Sequence, residues 1–559
     1  MKTSILSFLT VILLSSGINA QQLKVPIPTE ESIRQEHRYR QNPSLLPLND
    51  KKAMRFLTDA APEMKAYRYG IVFNPLFMSP EMKAAYNNPD AVKLDDSIDL
   101  QDAVNSHPSG TVFHLRNGDY YSRNNNTVAI NNKDMTFVGR GKNVIIHARF
   151  NARRKSGRQQ LYNLRFEDYR GSDKQSFVQL GDGRPGAGSI VENCIIDGNG
   201  RMDVNITLVT NSRIRFNKIN NAKRYSYSNS RDSSFVFAFN RLERNAVGHD
   251  SVHYSAGSKI VRSKNGLIYG NYGIDNDGPQ CWVDIHNENI EVLKNSFGSK
   301  YSIDDPRNVT YRGIFLEYSR KNGNRALGNY VYNINRRQAI QIADCNGKVL
   351  YNLLENNQNS LSFVTNGRPQ RSSDPFIIDN VLFFNNWIYQ KKIGTEDLNS
   401  IVRVRVGNSD TIAEASINYA GLRFKNNTYC IPDKNFGFFT YVNRQKTIQG
   451  LAGFQSYPFT TNEQTSCGRN SSEAKATEDA ILNKFAYTYT PTTRNIHLNL
   501  GNTVQQLNLT VYNLAGQKIM TIDKKNVNQL NFSLSDYPKA LYILKINADS
   551  EVQTLKITN

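Results

Sequence analysis

From about residue 96 the chain reads as short β-prone runs punctuated by Asn, Gly, Asp and Ser. Before that, residues 21–95 are Pro-punctuated and partly helical, as in Asp50 to Ala61 and Pro80 to Tyr86. The stretch from Asp99 to Tyr121 reads as a helix feeding a first strand. The main signal is a repeat: an Asn with an apolar residue close behind it closes a strand-like run at Asn193, Asn217, Asn240, Asn271, Asn295, Asn329 and Asn352. The intervals are 24, 23, 31, 24, 34 and 23 residues, so the two longest are one coil plus a loop. This period predicts a right-handed parallel β-helix over residues 96–435, with Asn side chains bonding along the stack and apolar neighbours filling the core. A β-propeller needs blades of about 40 to 50 residues and fits worse. Residues 436–488 lose the texture and read as a linker. Over 489–559, apolar and polar residues alternate again, as in Leu507 to Val511 and Leu541 to Ile546, which predicts a small β-sandwich. The expected class is all-β.

A chain of 559 residues has room for two to four units, and 39% hydrophobic with 21% charged residues excludes global disorder. The formal charge of +20 favours an anionic partner. Residues 1–20 read as a secretory signal: Lys2, an apolar run from Ile5 to Leu14, then Ile18-Asn19-Ala20 before the glutamines. That run is too short to span a bilayer, and no other stretch reaches about 18 apolar residues. Export argues against nucleic acid and for an acidic polysaccharide or oligosaccharide, met by a secreted or cell-surface monomer. The five cysteines form no CxxC pair and are too few for a disulfide scaffold. Export nonetheless makes a bridge between Cys430 and Cys467 permissible.

Counting back 11 or 12 residues from four successive ladder positions gives Lys259, Asp284, Glu317 and Gln341, each in a strand-like run. If these share one outward row, Asp284 and Glu317 sit roughly 5 Å apart on adjacent rungs with Lys259 one rung below. Carboxyls that close cannot ionise independently. Retaining glycosidases hold theirs about 5 to 5.5 Å apart, one as nucleophile and one as general acid/base. The alternatives are an exposed polar row or a calcium site.

Two resemblances bear on this pattern. The segment Val511-Tyr512-Asn513-Leu514-Ala515-Gly516-Gln517-Lys518 and the closing Leu541-Tyr542-Ile543-Leu544-Lys545-Ile546 resemble the C-terminal sorting domain of the Bacteroidetes type IX secretion system, with Ala540 where that family has Gly. The resemblance implies a partner in that machinery and passage through the outer membrane to release or surface attachment. Separately, Ala256-Gly257-Ser258-Lys259, Asp275 to Ile285 and Gly313-Ile314-Phe315-Leu316-Glu317-Tyr318-Ser319 resemble bacterial pectate-lyase-like β-helix proteins and, more distantly, glycoside hydrolase family 120. The latter resemblance implies that Asp284 is the nucleophile and Glu317 the acid/base. The loop from Lys300 to Arg312 departs from that family's tighter spacing.

Trp282, His286, Gln341, Tyr318, Arg320 and His253 are candidate substrate contacts around the pair. His249 and His253 are spaced like a zinc pair but lie in a loop, so no metal is expected there. Asp275-Asn276-Asp277-Gly278 is oxygen-rich; it reads as a turn, with Ca2+ the one cation it would suit. No other cofactor is expected. The arginine-rich run from Arg149 to Arg158 reads as a solvated loop. The leading expectation is an extracellular glycosidase. A polysaccharide lyase with Lys259 or Arg320 as base, and a non-catalytic glycan-binding adhesin, remain as alternatives.

Overall fold

The computed structural model describes residues 28–41, 79–141, 143–152, 157–169, 176–180, 188–200, 204–208, 211–246, 256–318, 323–344, 346–365, 380–390, 401–406, 421–431, 438–442, 445–449, 451–455, 460–461, 463–465, 486–490, 494–513, 517–538, 541–549 and 551–558. The signal segment, the pattern at 50–61, His249, His253, Arg320 and Cys467 lie outside them. The chain divides into two units, residues 1–466 and 467–559.

In the first unit the chain coils through three sheets, giving each coil one strand per sheet. Sheet A has 14 strands, from Val92–Leu94 to Thr460–Thr461. Sheet B has 13, from Gly118–Tyr120 to Gln464–Thr465, and sheet C has 13, from Thr127–Ala129 to Gln445–Gln449. Neighbours pair in parallel along each sheet, apart from the antiparallel hairpin of Phe438–Val442 with Gln445–Gln449 that closes sheet C. This is a parallel β-helix. It runs past the expected boundary at 435, because Phe424 pairs with Thr460 and Thr428 with Gln464 in the same register as the coils before them. Arg149–Ala152, read as the start of a solvated loop, is a strand of sheet C.

Inward residues form one continuous core in which like stacks on like. Phe113 stacks on Phe137 with centroids 5.1 Å apart, and Phe383 on Phe424 at 4.4 Å. Such pairs add about 0.5–1.5 kcal/mol each beyond area burial. Helices cover both ends of the core. In α1 (Glu30–Gln41), α2 (Pro80–Tyr86), α3 (Leu100–Ser106) and α4 (Leu451–Gln455), it is α3 that buries Leu100, Ala103 and Val104 at one end and α4 that sets Phe454 against Phe424 at the other. Asp99 caps α3 by accepting from the Gln101 and Asp102 amides. Along the outside, α1 lies on sheet B through Arg34–Glu355 (2.8 Å), Lys294–Glu36 (2.9 Å) and His37 packed on Tyr330 and Tyr332.

The Asn ladder runs inside the corner between sheets A and B. Each Nδ2 donates to the next Oδ1 through Asn217, Asn240, Asn271, Asn295, Asn329, Asn352, Asn386 and Asn427, at 2.8 to 3.0 Å. Glu463 ends it, accepting from the Asn427 backbone and side chain. Asn193 is not a rung of this ladder. It sits one position earlier, at φ 55°, and Cys194 occupies the ladder place with its N–H donating to Asn217. Every coil needs a left-handed residue just before its ladder residue. Asn tolerates that conformation better than most residues, so one residue type serves two adjacent positions.

In the second unit, as expected, antiparallel strands close on a small core; five of them form one continuous sheet around Asn495–Tyr512. Register shifts between Asn499 and Val504, and the buried face moves from Ile496 and Leu498 to Leu507, Leu509 and Val511. That one-residue phase change turns the strand, so both halves fill a single core.

Candidate active site on sheet C

The strand Gly278–Val283 pairs with Ala256–Val261 on one side and Thr310–Glu317 on the other. Register places Lys259 opposite Trp282, Trp282 opposite Phe315, and Phe315 opposite Gln341. The outward row is therefore Lys259, Trp282, Phe315, Gln341, which corrects the row of Lys259, Asp284, Glu317 and Gln341 counted from the ladder. Asp284 and Glu317 each stand two residues further on. Because Val283 pairs with Leu316, they occupy equivalent positions on adjacent rungs. A two-residue step keeps a side chain on the same face, so all six residues belong to the outer surface of sheet C.

Lys259 bridges the offset: its Nζ lies 3.0 Å from Asp284 Oδ2 and 3.5 Å from the centroid of the Trp282 ring. Trp282 then turns to the other carboxylate, donating from Nε1 to Glu317 Oε2 at 2.9 Å. The indole thus holds a cation on its face and a carboxylate on its edge, while stacking on Phe315 at 5.8 Å. The face of the Trp282 ring is covered by Lys259. Asp284 is only 9% exposed and Glu317 2%, so the pair lies in a recess and not on an exposed polar row. Burial of two carboxylates is costly unless each has a partner, and each has one.

Next to this pair stands Arg312, a residue sequence reasoning passed over as the end of a loop. It belongs to the strand Thr310–Glu317, and its guanidinium carbon lies 4.5 Å from the Phe315 centroid and 5.0 Å from that of Tyr311. Gly313 beside it is tightly confined: a Cβ there would meet Ala339 O at 2.3 Å and Val331 Cγ1 at 2.4 Å. Burial pushes the Arg312 guanidinium below its ordinary range, while the charges of Tyr311 and Glu317 hold it up. Arg337 Nε donates to the Tyr311 hydroxyl at 3.0 Å.

The remaining candidates scatter. Gln341 is buried in the outward row. His286 is half-buried at a turn with φ 59°, its N–H donating to Tyr318 O. Tyr318 itself points the other way: its ring is part of the apolar core, so it lines no groove. At the oxygen-rich turn, Asp275 Oδ1 accepts from Ser299 and the Lys300 amide, and Asp277 caps the Gly278 N–H. Asp275 is thus engaged by the next coil and Asp277 by its own turn, and no cluster of three metal-ligating side chains occurs among the described residues. Cys430 is disulfide-bonded, and Cys194 and Cys281 are free and buried.

Residues 490–558 match the family model of the secretion system C-terminal sorting domain. The tail is a sorting domain. It marks the protein as secreted or held at the cell surface. No helix among the described residues is long and apolar enough to cross a membrane. Among curated proteins none matches the chain. Solved structures similar to it include the A-module of the mannuronan C-5 epimerase AlgE6 from Azotobacter vinelandii, 14% identical over 66% of this chain and 93% of that one, with a TM-score of 0.42. The catalytic domain of a GH87 α-1,3-glucanase is 11% identical over 68% and 67%, at a TM-score of 0.39. The endo-xylogalacturonan hydrolase of Aspergillus tubingensis is 12% identical over 67% and 93%, at 0.33. The coil itself is established by the strand pairing, and the chemistry rests on the residues of sheet C.

Proposed function

We propose that this protein is an exported carbohydrate-active enzyme that cleaves glycosidic bonds by retaining hydrolysis with Asp284 and Glu317. The observation that carries the reading is the equivalence of these two positions on adjacent rungs, which follows from the pairing of Val283 with Leu316. Adjacent strands lie about 4.8 Å apart, close to the carboxyl separation of retaining glycosidases. Asp284, held by Lys259, is the nucleophile: it attacks the anomeric carbon and forms a glycosyl ester. Glu317 gives its proton to the departing oxygen. It then takes one from the water that opens the ester, restoring both carboxyl groups.

The rival lyase chemistry needs Lys259 as a neutral base. Lys259 Nζ is instead engaged at 3.0 Å by Asp284 Oδ2 and covered by the indole face, so it is not free to reach a sugar proton. That favours the hydrolase. The test is incubation of the purified protein with a broad panel of polysaccharides, following new reducing ends and ultraviolet absorbance together. Reducing ends without absorbance support hydrolysis. Absorbance from an unsaturated sugar establishes the lyase, and inactivity on the whole panel favours a glycan-binding adhesin.

A further inference from the structure

Around the carboxylate pair the positive charges are unevenly matched. Lys259 is spent on Asp284. Arg336 approaches Asp277 at 3.9 Å. Arg337 is hydrogen-bonded to the Tyr311 hydroxyl. Arg312 makes no ion pair and no hydrogen bond among the described residues, although its Nε is shut off from solvent without a partner. The residue is half-buried, and its enclosed Nε bears a desolvation cost without the partner that such groups normally have. The carboxylate that acts on it is Glu317, which is already bonded by Trp282.

Its placement is as telling as its charge. The guanidinium sits over Phe315, the ring that stacks on Trp282, so it is held within one aromatic layer of both carboxylate partners. A planar guanidinium is a poor match for a neutral hydroxyl and a good one for a carboxylate, which it binds with two parallel hydrogen bonds. The net charge of +20 would draw an acidic polymer towards such a site.

We propose that Arg312 is the specificity residue of this site and takes the carboxylate of a uronate sugar in the subsite beside the scissile bond. This rests on the glycan-cleaving reading for its place beside the bond, but the binding it requires is independent of turnover.

The test is therefore a binding experiment on the full chain carrying Asp284→Asn, compared with the same chain also carrying Arg312→Met or Arg312→Lys. The probes are an array of uronate oligosaccharides, the same oligosaccharides with their carboxyls reduced to alcohols, and sulfated oligosaccharides without uronate. Binding of uronate probes, with a loss of about 10- to 100-fold on carboxyl reduction and a similar loss in Arg312→Met, is expected for a charge-assisted pair. Arg312→Lys keeps the charge and loses the fork, so it should recover only part of the affinity. If the Met variant does not fold, the Lys variant alone decides. Equal binding of carboxyl-reduced probes, binding of sulfated probes only, unchanged uronate affinity in the Arg312 variants, or no uronate binding overturns the proposal. Uronate binding without turnover by the wild-type chain would sink the hydrolase reading and leave this one standing.

Discussion

Trp282 Nε1 donates to Glu317 Oε2 at 2.9 Å, joining the indole of one rung to the carboxylate of the next. The same ring carries Lys259 on its face, and Lys259 carries Asp284. One side chain therefore sets the positions of both carboxylates. Trp282→Phe keeps a ring for Lys259 but removes the donor. The expected outcome is a fall in kcat of about 10- to 100-fold, the size of one lost charge-assisted hydrogen bond, with a smaller change in KM. A fall confined to KM would show that the indole serves substrate binding instead.

The order of three substitutions separates the chemistries. For the hydrolase, Asp284→Asn and Glu317→Gln should each lower turnover by orders of magnitude while the fold survives, since the volumes barely change. Glu317→Gln should hurt least on substrates whose leaving group needs no proton. Lys259→Met should be the mildest of the three. Complete loss in Lys259→Met with activity kept in Asp284→Asn would reverse the assignment in favour of the lyase. Steady-state kinetics on a common substrate decide it.

Glu463 gives a pH prediction for stability. Burial pushes its carboxyl up from about 4.5 to about 7, against the lowering effect of the hydrogen bonds from Tyr429 and Asn427. The folded state therefore holds a proton that the unfolded state has already lost between those values. Stability from this group is present below about pH 4.5 and is lost as pH rises through about 7. The ceiling is roughly 3 kcal/mol, at about 1.4 kcal/mol per pH unit. Denaturant unfolding of wild type and Glu463→Gln at several pH values should show a decline in the former that is absent from the latter. Parallel curves would refute it.

The ladder makes a contrast between two asparagines. Asn295 Oδ1 accepts both the backbone N–H and the Nδ2 of Asn271, so Asn295→Ala leaves two buried donors unmet and should cost about 2–6 kcal/mol. Asn193 lies in the left-handed corner and makes one side-chain bond, donating to Asn163 Oδ1 at 3.2 Å, so Ala loses conformational ease and a single bond and should cost about 1–3 kcal/mol. Equal losses in urea unfolding would contradict the placement of Asn193 outside the ladder.

Export depends on the second unit. A chain ending at Phe485 lacks the sorting domain matched at 490–558, and it should accumulate in the periplasm as a folded coil. Normal appearance of that truncation in the medium, scored by cell fractionation, would refute the dependence.

The sequence by itself determined the coil, the tail and the face on which chemistry could stand. Asn recurs because each amide of the stack accepts from the one before it and donates to the one after, and that requirement is visible at intervals of 23 and 24 residues. That the tail is one sheet folded over was out of reach, since the register shift after Asn499 leaves no mark in the alternation on either side. The row on sheet C was decided by tertiary structure. Lys259, Trp282, Phe315 and Gln341 precede their ladder residues Asn271, Asn295, Asn329 and Asn352 by 12, 13, 14 and 11 positions, because the arc from sheet C to the ladder differs in length from coil to coil. A fixed count slips by two residues at the two central rungs. A slip of two preserves the face in a strand, which is why Asp284 and Glu317 were legible as neighbours although they are not in the row. That Trp282 links them, and that Arg312 stands beside them without an ion pair among the described residues, depended on contacts between coils that no spacing along the chain encodes.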